Sequence, residues 1–147
     1  MHYVRCALVS FAGLMAACSS ERVVAPRLVT VEGVSLEIRA YLYRDFMPIS
    51  PPDGKPLIAV IRILSVDSSA IPATVTADSA WVYNGSAVWK TPVAERQPRN
   101  VSYLEVVAAD GPKWGPGIVV DLVVRLRDGA GQTFLLEAPR QLISRTD

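Results

Sequence analysis

The chain has 147 residues, half of them hydrophobic, with fifteen Lys and Arg against fourteen Asp and Glu. That balance lacks the basic excess that drives phosphate binding, which sets nucleic acid aside as a partner. The only histidine is His2 and the only cysteines are Cys6 and Cys18. Beyond Cys18 the chain therefore lacks Ser-His and Cys-His nucleophile pairs, imidazole metal sites, thiol redox chemistry and disulfides.

The first element is MHYVRCALVSFAGLMAA. Arg5 places one positive charge near the start, and the twelve residues from Cys6 to Ala17 carry none. A membrane-spanning helix needs about twenty apolar residues, so this run is too short to span. A positive start, an apolar core and a small-residue exit describe an export signal. Ordinary cleavage after Ala17 would put Met15 at the position where a small side chain is wanted. The stretch Met15-Ala16-Ala17-Cys18 instead resembles the lipobox of bacterial lipoproteins, with Met where that family usually has Leu.

The resemblance implies that residues 1–17 are a removed signal peptide and that the Cys18 thiol carries a diacylglyceryl group. Two or three acyl chains hold a protein to a bilayer durably, whereas one does so only marginally. Ser19 follows Cys18 where Asp would imply retention at the inner membrane, so the resemblance points to the outer membrane, on its periplasmic side or at the cell surface. Residues 18–27 are expected to form a short tether, spanning at most about 35 Å when extended. Residues 28–147 form one domain, large enough to bury roughly two-thirds of its unfolded surface.

From Leu28 onward the hydrophobic period is two. In VSLEIRAYLY, Val34, Leu36, Ile38, Ala40 and Leu42 share one side, which predicts a strand with one buried face. LIAVIRILSV is apolar on both faces except at Arg62 and reads as a central strand covered on both sides. Trp81 to Trp89 holds two β-rich runs around Asn84-Gly85, a strong hairpin signal. In GIVVDLVVRLRD, Ile118, Val120, Leu122, Val124 and Leu126 face inward, while Asp121, Arg125 and Arg127 face out. SYLEVVAA and QTFLLEA are shorter strands, and the proline-bracketed MPISPPDGKP is a loop. SVDSSAI has room for one helical turn. The expectation is an all-β, antiparallel immunoglobulin-like sandwich of about seven or eight strands, with a small barrel second.

Three aromatics are candidate binding residues. Trp114 sits in DGPKWGPG, a Gly- and Pro-rich loop, either as an exposed recognition anchor or as a plug folded back on the sheets. Trp81 and Tyr83 share one hairpin face while Val82, Ala87 and Trp89 share the other. Since both faces are apolar, either a loop covers the second face or an aromatic patch is exposed. Asp110, Asp121 and Asp128 read as turn and edge residues without calcium-loop spacing. Asn84 and Asn100 fit glycosylation sequons, although a bacterial lipoprotein would not normally use them. Only Lys55, Lys90 and Lys113 could serve a Ser-Lys mechanism, and each lies beside a turn. The expected function is non-enzymatic: a membrane-anchored lipoprotein whose β domain binds another envelope or cell-surface protein. No cofactor or metal is expected beyond the covalent lipid on Cys18. The alternative is a small-molecule or glycan binder that stacks its ligand on Trp81, Tyr83 and Trp114.

Overall fold

The computed structural model of the chain describes residues 21–147; Cys18 and the signal segment lie outside the described residues. Nine strands run through them: β1 (Val29–Val31), β2 (Val34–Asp45), β3 (Leu57–Ser65), β4 (Thr76–Asn84), β5 (Ala87–Pro92), β6 (Ala94–Glu95), β7 (Tyr103–Gly111), β8 (Val119–Arg127) and β9 (Thr133–Thr146). The count exceeds the expected seven or eight because β1 and β6 are short pieces that alternation alone does not reveal. No helix occurs among the described residues, and SVDSSAI forms a turn in which Ser69 N–H donates to the Asp67 carboxylate at 3.1 Å.

The hydrogen-bonded order is β5-β4-β8-β9-β2-β3-β7-β6, with β1 beside β2. This is one large sheet whose two ends bend round until they nearly close a barrel. All pairings are antiparallel except β2 with β9, which run parallel from Leu42 opposite Ile143 to Asp45 opposite Thr146.

Both turning points carry a proline. On β9, Pro139 and Arg140 together oppose the single residue Asp121 of β8, which makes a bulge. Proline suits this position because it has no N–H to offer the ladder. Arg140 adopts φ +57°, and its N–H donates to the Asp121 carboxylate at 2.8 Å. Past the bulge, β9 leaves β8 for β2. On the other side the chain leaves β4 at Pro92, and β6 pairs with β7 two residues later. The gap between β5 and β7 is filled by Trp89. Its ring lies so close to Gly111 that an added Cβ there would sit 2.6 Å from it.

The alternating faces pack as expected. Leu36 and Leu42 of β2, and Val120, Leu122, Val124 and Leu126 of β8, are buried in a single cluster with Leu57, Ala59, Ile61 and Ile63 of β3. Val34, Ile38, Ala40 and Ile118 line its margin. β3 departs from expectation on its other side. Ile58, Val60 and Leu64 are only half-buried and Arg62 is exposed, because among the described residues no second layer covers that face.

Candidate functional site

Cys18, the lipid-attachment candidate, lies outside the described residues. The three aromatic candidates fall in two separate places.

Trp114 stands at one end of the barrel, half-buried and packed against the main core cluster. Its loop is fastened by Arg44, the last inward-facing residue of β2, which is only 3% exposed. The Arg44 guanidinium donates from Nη1 to the carbonyls of Lys113 (3.2 Å) and Gly115 (2.7 Å), on either side of Trp114. Its Nε donates to the Lys55 carbonyl at 2.9 Å, and Nη2 donates to that of Asp53. One planar cation thus ties the 46–56 loop to the Trp114 loop through four main-chain oxygens, which a rigid fork of donors does better than an ammonium. Lys113 adds an ion pair to Asp53 at 2.7 Å and holds that carboxyl below its ordinary range. The arrangement fixes a loop; it leaves Trp114 little freedom to swing out. Arg44 was readable in principle, since it continues the even-numbered inward series of β2, but its charge argues for the outside.

Trp81 and Tyr83 lie on the outer face of β4, and that face is covered. The covering is the segment 21–26, which the sequence presents as tether. Val23 and Ala25 turn inward onto Trp81, Tyr83, Val123 and Leu135, leaving Tyr83 only 8% exposed. The Val23 N–H donates to the Tyr83 hydroxyl at 3.1 Å, and the Glu137 N–H donates to the Pro26 carbonyl at 2.8 Å. Arg22 sits over the Tyr83 ring, pairs with Asp121 and reaches Glu137 at 3.4 Å. The Arg140 N–H and the Arg22 guanidinium together hold the Asp121 carboxyl below its usual range against partial burial. Asp121 is therefore a clasp for both the β9 bulge and the N-terminal segment.

The hairpin turn sits one residue further on than Asn-Gly implies. Asn84 is the last residue of β4, opposite Ala87, and Gly85 (φ +58°) and Ser86 form the two-residue turn. A glycine with positive φ in the first central position is the type II′ pattern. The face assignment survives: Tyr83 pairs with Val88, and Val82 with Trp89.

Among the described residues, the outer face of β2, β3 and β7 has no such cover. Tyr41 is 49% exposed and stacks on Tyr43, with ring centroids 5.2 Å apart and planes 22° from parallel. Across the strands Tyr43 opposes Ile58, Tyr41 opposes Val60, and Val60 opposes Val107. A charged row borders this strip, in which Arg39 opposes Arg62 and Arg62 opposes Glu105. Glu105 is 7% exposed and is held between Arg62 (2.6 Å) and Arg96 (2.9 Å), which keep its carboxyl below the usual range. A shallow depression of about 330 Å³ lies among Arg39, Ala40, Tyr41, Val60 and Arg62. The sequence gives no sign of this strip, because a β3 apolar on both faces reads as covered on both sides.

No family model, no curated protein and no solved structure matches the chain.

Proposed function

We propose that the chain is an exported lipoprotein, held to the outer membrane through a lipid on Cys18, whose β domain binds a protein of the envelope or cell surface without catalysing a reaction. The lipobox residues Met15 to Cys18 support the anchor. The observation that carries the binding role is the strip of exposed Tyr41 with half-buried Tyr43, Ile58, Val60 and Val107 around it, beside an arginine-rich row. Tyrosine and arginine around an apolar centre are the residues that anchor protein interfaces. The strip is flat rather than enclosed, which favours a protein over a small ligand. Stacking on Trp81, Tyr83 and Trp114 has little support from the geometry, since all three rings are at least half-covered.

The immunoglobulin-like reading belongs to the same proposal. Strands β2, β3, β7 and β6 can be matched in order to A, B, E and D of that fold, and β9, β8, β4 and β5 to G, F, C and C′. In this reading the parallel β2–β9 contact joins the edges of the two sheets.

Labelled palmitate should enter the wild-type chain and not Cys18→Ser. A photo-crosslinking residue placed at position 41 should give one discrete protein adduct in intact cells, whereas the same residue at position 24 should give none. Palmitate in both chains would remove the anchor, and equal adducts from both positions would remove the binding strip.

A further inference from the structure

We infer that the flank formed by segment 21–26 and the β4–β5 hairpin rests on the lipid headgroups of the leaflet that holds Cys18. This rests on the lipoprotein reading of Cys18 and goes beyond it, because an anchor alone does not say which side of a domain meets the bilayer. Three residue steps separate Cys18 from Glu21, a reach of at most about 11 Å. Glu21 in turn lines a depression of about 150 Å³ with Val23, Trp81, Tyr83, Val88 and Lys90. The chain is therefore pinned to the domain almost as soon as it leaves the lipid. A free tether of ten residues would let the domain tumble, but one clasped from Arg22 to Pro26 does not.

The chemistry of the flank suits that position. Val24 points away from the sheet and is 88% exposed, and Val88, on the hairpin beside Val23 and Glu21, is also exposed. Lys90 places its ammonium 5.3 Å from the centre of the Trp81 ring. An amphipathic ring under a cation is the pairing favoured where hydrocarbon meets headgroup phosphate. The Tyr41 strip lies on the opposite side of the domain. The shared core lies between the two outer faces, so the strip is held clear of the leaflet. The same clasp that seats one face on the bilayer presents the other to a partner.

The chain beyond Cys18 contains no other cysteine, so single cysteines can be labelled in the lipidated full chain. Val24→Cys, Val88→Cys and Tyr41→Cys would each carry a nitrobenzoxadiazole dye and be reconstituted into phosphatidylethanolamine–phosphatidylglycerol vesicles. Flotation first establishes whether the chain is anchored. The dye at 24 and at 88 should brighten at least twofold and shift to the blue on reconstitution, while the dye at 41 stays unchanged. Chains that float with no change at 24 and 88 overturn the seating alone. Brightening at 41 instead of 24 and 88 overturns it as well. A change at 24 and 88 in cell envelopes but not in pure lipid assigns the flank to a protein and overturns it too. Failure to float removes the anchor, and the seating with it.

Discussion

The two outer faces of the domain are built from the same material and end in opposite states. Each carries tyrosine, β-branched residues and arginine on strands whose inner sides share one core. On β4, β8 and β9 the apolar outer residues Tyr83, Val123 and Leu135 are sealed by the protein's own N-terminal segment. On β2, β3 and β7 the corresponding strip has, among the described residues, only long side chains and ion pairs over it. An apolar outer face can thus be finished within the chain or left open, and alternation along a strand does not distinguish the two. The difference lies in six residues, 21–26, that stand far in sequence from the strands they cover.

The largest effects should be blind to the comparison. Leu36→Ala in one half and Leu122→Ala in the other empty the same core, and each should cost about 2–5 kcal/mol in denaturant titration. If one costs far less than the other, the halves do not share a core. Next comes the barrel end. Arg44→Met leaves four carbonyls without their donor and should cost about 3 kcal/mol. Because Arg44 holds both loops, this change should also shift the emission of Trp114. Stability lost with unchanged emission would mean that the loop stays in place without Arg44.

The sealed face should respond more mildly. Tyr83→Phe removes the acceptor for the Val23 N–H and should cost about 1 kcal/mol, with faster amide exchange confined to residues 22–26. Acid probes the same clasp. A carboxylate held below its unfolded pKa stabilises the fold above that value, and the contribution disappears as pH falls through the folded value. Asp121 and Glu105 are both depressed in this way, and Asp67 is lowered to about 2 by the Ser65 and Ser69 hydroxyls. Stability should therefore be flat near neutrality and decline from about pH 4 downward. Protection against amide exchange at 22–26, relative to the unfolded chain at the same pH, should fall in the same range, and a decline in stability between pH 6 and 8 would contradict this assignment. The smallest change in stability belongs to the open face. Tyr41→Ala should alter stability by no more than about 0.5 kcal/mol, yet weaken partner capture by about 2 kcal/mol or more.

Much of the fold was legible because parity survives folding. The series Val34 to Leu42 and Ile118 to Leu126 point inward as read. Pairing was less legible. Nothing in alternation says that β9 leaves β8 for β2, because that switch depends on a bulge at Asp121 and a left-handed Arg140. Arg44 was hidden by its charge, since a guanidinium becomes an interior residue only when loop carbonyls converge on it. Val123 was the overlooked clue to the sealed face: an apolar residue among Asp121, Arg125 and Arg127 on the outward side of β8. Segment 21–26 is too short to show a period, so Val23 and Ala25 gave no sign of direction.

The contrast between the faces is tested most directly by hydroxyl-radical footprinting of the intact lipidated chain, read by mass spectrometry at Tyr41 and Tyr83 in one sample. Tyrosine reacts at both positions with the same chemistry, so the rates report cover alone. In purified protein Tyr41 should be modified several-fold faster than Tyr83, as expected from exposures of 49% and 8%. In native envelopes Tyr41 should then become protected while Tyr83 stays as slow as before. Equal rates in the purified chain, or a Tyr41 that reacts in envelopes as it does alone, would contradict the account.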